Sequence, residues 1–315
     1  MNIKKIGLTA LAASLVSVSA HAGEMTVAGS ASVGVKNNAG TAGGKSITMG
    51  NQLTFSGGGE LDNGLNVALS FVLDHADNVA SGFDSHSITI SSDAMGSIVI
   101  AGDGQGNAQS ALDTTAAGDI WDNGFKSGAA ETTYTAMAGS DASTSSINYT
   151  LPSLMDDLTV KASYSAGGTS VESTTAYGIT YTGVEGLSVS YGAGEAGSTT
   201  ATSAGDVTTM KGSYAIGSFT AAYSNTESDK DSTGVDEEMT SFKISYTVTD
   251  DLSISYGEET HETAAQAVDE EFDSVSVSYT TGGMTLTAAQ YDATGLENSA
   301  GVTAERWKLA ASFAF

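Results

Sequence analysis

Residues Trp307 to Phe315 alternate without a break, and this constrains the fold more than any other feature of the chain. Trp307, Leu309, Ala311, Phe313 and Phe315 fall on one face; Arg306, Lys308, Ala310, Ser312 and Ala314 fall on the other. A period of two belongs to a β-strand whose faces meet different surroundings. In a water-soluble protein this strand would leave a tryptophan and two phenylalanines on an open sheet edge, an aggregation hazard. In a closed barrel crossing a membrane it pairs back onto the first strand and shows its apolar face to lipid. The expectation is a barrel.

The same alternation recurs along the chain. Val27, Ala31, Val33 and Val35 share a face in the first segment; Leu187, Val189 and Tyr191, and Phe242, Ile244 and Tyr246, do so later. The opposite faces are small and polar. Sixteen such segments can be counted, an even number as bacterial barrels require. Connections alternate in length. Asp62-Asn63-Gly64, Gly217-Ser218 and Gly282-Gly283 are short, whereas Asn225 to Glu238 and Glu258 to Glu271 read as long polar loops. Tyr149, Tyr181, Tyr214, Tyr246, Tyr279 and Phe315 fall on the apolar face near the short-turn end, the position of an interfacial aromatic belt.

Residues 1–22 read as a cleaved signal peptide. Lys4 and Lys5 precede an uncharged apolar run, and Ala20-His21-Ala22 is an A-x-A cleavage pattern. The run is too short for a membrane helix, so the mature domain is expected to span 23–315. The chain has no cysteine despite its expected export, so disulfides contribute nothing, and its one proline (Pro152) and 38 glycines fit many strands and tight turns. Its net charge of −26 argues against nucleic acid as a partner. With 40% hydrophobic residues in regular alternation it is not a disordered acidic chain.

The longest irregular stretch follows the fifth segment, from Asp103 to about Ala130. Together with the A-x-A leader, the alternating strands and Phe315, it makes the chain resemble the general diffusion porins of Gram-negative bacteria, of the alphaproteobacterial type. The resemblance covers the whole mature chain and rests on architecture, since such porins carry no short signature. It implies a sixteen-stranded antiparallel transmembrane β-barrel with an inward-folded third loop that narrows the pore. It also implies a homotrimer set in outer-membrane lipid and lipopolysaccharide and delivered by the barrel-assembly machinery. No cofactor is expected, and the partners are small hydrophilic solutes and ions.

On that basis Asp103, Asp113, Asp119, Asp122, Lys126 and Glu131 are the candidate constriction-loop charges, with Trp121, Phe125 and Leu112 available to pack the loop on the wall. Lys36, Lys161, Lys211, Lys243, Arg306 and Lys308 fall on the polar face of their strands and are the candidate basic wall. A charge at mid-depth on the lipid face costs about 2–4 kcal/mol, which alone accounts for inward placement. Most of these cations are expected across from the acidic loop, giving a transverse field. Phe315 is the candidate assembly signal.

The acids from Glu227 to Glu238 and from Glu258 to Asp273 are expected in outer loops, where they would enrich cations and give weak cation selectivity. They admit two further readings, a solvated acidic rim or a structural calcium site. Gly102 to Asn107 resembles one unit of a calcium-binding repeat, but that architecture needs tandem copies. No serine, histidine and acid assemble, with His261 read as part of an acidic loop, so an enzyme is not expected. The alternatives are a substrate-selective channel and, in another class, an exported β-rich adhesin or surface-layer protein.

Overall fold

A computed structural model describes residues 25–37, 44–74, 85–103, 106–123, 125, 140, 145–168, 171–232 and 234–315. The candidate leader, Lys126, Glu131 and the stretch 132–138, which could have added a strand, lie outside these residues. The strands are β1 (Thr26–Asn37), β2 (Lys45–Glu60), β3 (Asn66–Asp74), β4 (Ser85–Ser92), β5 (Gly96–Asp103), β6 (Ser146–Thr150), β7 (Leu158–Ser165) and β8 (Thr174–Val184). They continue as β9 (Leu187–Ala196), β10 (Gly205–Ile216), β11 (Phe219–Lys230), β12 (Glu237–Thr249), β13 (Leu252–Thr263), β14 (Glu270–Thr281), β15 (Met284–Thr294) and β16 (Thr303–Ala314).

Each strand pairs antiparallel with its sequence neighbours, and β1 pairs β16, so the sheet closes with no free edge. Closure leaves no strand as a free sheet edge toward lipid, which a bilayer demands. The seam runs from Lys36 opposite Lys308 to Ser30 opposite Ala314. It ends with Gly29 N–H donating to Phe315 O at 2.7 Å and Phe315 N–H donating to Gly29 O at 2.9 Å.

The outer surface carries exposed Val33, Ile47, Ile179, Tyr191, Ile244, Val277 and Leu309 in a continuous band. Water would not tolerate such a patch, and lipid would cover it. Among the described residues no helix is long and apolar enough to cross a membrane, which says nothing against crossing by strands.

The aromatic belt has a regular origin in the register. Tyr181 stands opposite Leu158, Tyr214 opposite Leu187, Tyr246 opposite Phe219 and Tyr279 opposite Leu252. Each tyrosine therefore sits level with the first residue of the preceding strand, just before its own strand enters a short turn. Two of those turns begin on Gly217 and Gly282, both at φ +56°, where a side chain would be strained.

The acidic connections are shorter than the sequence suggests. β11 runs on to Lys230 and β12 starts at Glu237, while β13 reaches Thr263 and β14 starts at Glu270. Alternation continues through these residues with carboxylates in the outward positions. Glu227 pairs Glu238, and Glu238 pairs Glu262, in one row across three strands. Tyr223, Phe242 and Tyr256 lie just below on the same face. That change from aromatic to acidic marks where hydrocarbon ends, since carboxylates there must meet water. His261 likewise belongs to β13 rather than to a loop.

Candidate functional site

Residues 106–123 leave the end of β5 and follow the polar inner wall past β7 to β15. The wall is prepared for them strand by strand. Ala108 N–H donates to Ser163 Oγ of β7 at 2.8 Å, Ala116 N–H to Ser224 Oγ of β11 at 2.8 Å and Ala117 N–H to Ser241 Oγ of β12 at 2.9 Å. Gln109, fully buried, donates from Nε2 to Thr209 Oγ1 of β10 at 2.8 Å. Buried backbone donors must find acceptors, and here strand hydroxyls supply them.

Two glycines let the loop lie close. A Cβ on Gly178 would stand 2.6 Å from Ala108 O, and one on Gly257 would stand 2.8 Å from Ala117 Cβ. The far end of the segment is held by Glu259 of β13, which is 1% exposed. Its Oε2 accepts Trp121 N–H at 2.9 Å and its Oε1 accepts the Thr115 hydroxyl. Beside it Ile120 and Phe125 enter an apolar patch formed by Phe272, Ala293 and Leu296, with the Phe125 and Phe272 rings 5.5 Å apart. Trp121 packs on the edge of that patch, and Leu112 lies against Gly178 and Gly192.

The candidate charges fall into distinct settings. Asp103 ends β5 at the root of the loop, opposite His86, and its side chain is outside the described residues. Asp119 adopts φ 55° and closes a small turn, its Oδ1 accepting Thr115 N–H at 2.9 Å and its own N–H donating to Thr115 Oγ1 at 2.7 Å. Asp113 and Asp119 both act electrostatically on Lys211, whose Nζ also donates to Thr114 O. Asp122 is exposed toward the pore. Partial burial pushes its carboxyl above the ordinary range and Asp119 adds to this, while Lys308 and Lys36 pull it back down.

Lys36 and Lys308 are register partners across the seam, so two cations stand side by side facing Asp122. Lys211 and Lys243 belong instead to β10 and β12, the wall the loop lies on. The expectation that these cations stand mostly across from the loop therefore describes Lys36 and Lys308 alone. Lys161 faces inward on β7, beneath the first anchor. Arg306 is inward but 2% exposed, part of the packed wall rather than the open lumen.

Of the acids assigned to a mouth, many are spoken for. Glu270 is buried and pairs with His261 Nδ1 at 3.1 Å, and Glu237 pairs with Lys230 at 3.1 Å. Glu227, Asp229, Asp236, Glu238, Glu262 and Asp269 line a recess of 510 Å³ on the rim of β11 to β14. Among the described residues no group of three or more His, Cys, Asp or Glu is placed to hold a metal ion. Sequence reasoning missed Glu259, Gln109 and the three anchoring serines. Carrying the alternation of β13 past Tyr256 would have placed Glu259 and His261 on the inner face.

A family model described as Gram-negative porin matches residues 7–315. No curated protein matches the chain by sequence. Among solved structures, an anion-selective porin from Comamonas acidovorans is similar at 16% identity and TM-score 0.70, with 93% of this chain and 99% of that chain covered. A loop-deletion mutant of OmpT, an outer membrane protein of Vibrio cholerae, is similar at 18% identity and TM-score 0.66, over 93% of this chain and 99% of that one. A mutant porin of Rh. blastica is similar at 12% identity and TM-score 0.65, over 93% and 100%. At these identities the likeness is one of fold.

Proposed function

The chain belongs to the Gram-negative porin family, and from that premise we propose that it forms a water-filled pore for passive diffusion of small hydrophilic solutes and ions, narrowed by residues 106–123. Its place is the outer membrane. The carrying observation is the buried ladder from Ala108 to Trp121, which fixes a loop across the inner wall and leaves Asp122 facing Lys36 and Lys308. A loop held at that many points acts as a static constriction, with size exclusion as its first consequence.

Selectivity is weak in this reading. The cation preference expected from an acidic mouth loses its main support, because those acids point outward or are paired. The residual sign is set at the constriction, by Asp113, Asp119 and Asp122 against Lys36, Lys211, Lys243 and Lys308. A transverse field between loop and seam orients dipolar solutes as they pass. The assembly proposed is a homotrimer, and the segment proposed to be removed on export is 1–22.

Planar-bilayer recording on the purified protein tests this. Stepwise conductance in groups of three, with a reversal potential close to zero under a salt gradient, is the expected result. Folded protein that inserts without opening would overturn it.

A further inference from the structure

Beneath the first anchor of the third loop lies a separate cleft of 310 Å³. Asn107, Ala108 and Ser110 of the loop form its roof; Val99, Thr150 and Lys161 form its wall. At about 30 Å³ per water it has room for a small solute together with water. Among the described residues no carboxylate lines it, although the chain as a whole carries a net charge of −26.

The register explains how the cation stays open. Lys161 stands opposite Thr150 on one side and Gly178 on the other. Gly178 brings no side chain, and its space is taken by the Ala108 carbonyl. Lys161 makes no hydrogen bond or ion pair with the described residues. Ser110 Oγ accepts Asn107 N–H at 2.7 Å while reaching Asn107 O only at 3.4 Å, so its proton is weakly held. An ammonium in a polar cleft, lined by hydroxyls and with no carboxylate among its described neighbours, attracts anions more strongly than one in bulk water.

We infer that this cleft is a subsite for a small oxyanion, phosphate or carboxylate, held by Lys161 with the Thr150 and Ser110 hydroxyls. It lies on the short-turn side of the loop, so an anion lodged there has passed, or is about to enter, the narrow zone. The inference rests on the open-pore reading for its role in transport, but not for binding itself.

Two measurements separate the cases. Inorganic phosphate is titrated onto detergent-folded protein and followed by ³¹P line broadening, for the unsubstituted chain, Lys161→Gln, Lys161→Arg and Lys308→Gln. Broadening that weakens roughly tenfold in Lys161→Gln, and survives in Lys161→Arg and Lys308→Gln, is expected. Equal broadening in the unsubstituted chain and Lys161→Gln, or none in either, would overturn the subsite. In bilayers, phosphate on either side should reduce the chloride-supported current of the unsubstituted channel and not that of Lys161→Gln. An absence of channels would refute the pore reading alone, because the resonance experiment does not need one.

Discussion

Glu259 Oε2 and Trp121 N–H are 2.9 Å apart, so one buried carboxylate of β13 fixes the far end of the third loop. Removing it leaves the Trp121 N–H and the Thr115 hydroxyl without acceptors, at about 1–3 kcal/mol for each buried group. The barrel's own ladder is untouched. Glu259→Ala is therefore expected to raise single-channel conductance and add open-state flicker, while the heat-dependent gel mobility of the folded barrel is retained. Unchanged conductance with a folded barrel would mean the loop is held without Glu259.

The wall glycines give an independent way to lift the same loop. In Gly257→Ala the added Cβ would meet Ala117 Cβ at 2.8 Å, closer than real carbons approach. Neither partner is a flexible side-chain end, so the loop must shift. At Gly212 an added Cβ would meet only Ser188 O, at 3.9 Å. Gly257→Ala should reproduce the flicker of Glu259→Ala, and Gly212→Ala should leave the channel unaltered. Solute-flux rates in liposomes for a graded series of sugars would read the same difference as a relaxed size cut-off.

Much of the barrel was legible in the residues and much of the loop was not, for a physical reason. Lipid imposes a single requirement on every outward position, so Val33, Ile179 and Leu309 announce their strands one by one. Loop anchoring imposes a different requirement at each point. Ser163, Ser224 and Ser241 are ordinary polar residues until a backbone N–H arrives, and Gly178 and Gly257 are only small. The acidic ends of β11 to β14 were misread because carboxylates suggest loops, whereas a strand that has left the hydrocarbon can carry them outward. Lys36 and Lys308 were candidate wall cations and Asp122 a candidate loop charge. Only the closed register showed which of those cations face it.

Phe315 and Gly29 exchange both backbone hydrogen bonds of a pair, and the phenyl ring lies over Gly29 where a Cβ would fall 2.4 Å from Cε2. Deleting Phe315 removes those two bonds, each with a net worth of about 0.5–1.5 kcal/mol, at the seam that closes the sheet. Refolding into detergent or lipid should slow and the folded fraction fall. Outer-membrane yield should drop with it. A truncated chain that folds and inserts at the normal rate would show that the seam from Ser30 to Lys36 suffices for closure.

Asp122 should give the pore its clearest pH dependence. Burial is the largest cause of its raised proton affinity and repulsion from Asp119 adds to it, with Lys308 and Lys36 acting in opposition. An ordinary aspartate titrates near about 4. The folded chain therefore holds this proton to higher pH than the unfolded chain does, and stability attributable to the group falls as pH rises through that window. Above the raised folded value the cost of the ionised form is fully present, so Asp122→Asn should be neutral or stabilising at pH 7. In transport the sign follows from the lost negative charge. As pH drops through the raised value the reversal potential should move toward anions, at a pH above that of a free aspartate. Asp122→Asn should abolish that step, and Lys308→Gln should carry it to higher pH by removing an opposing cation. A step that persists unchanged in Asp122→Asn would assign the pH dependence to another carboxylate.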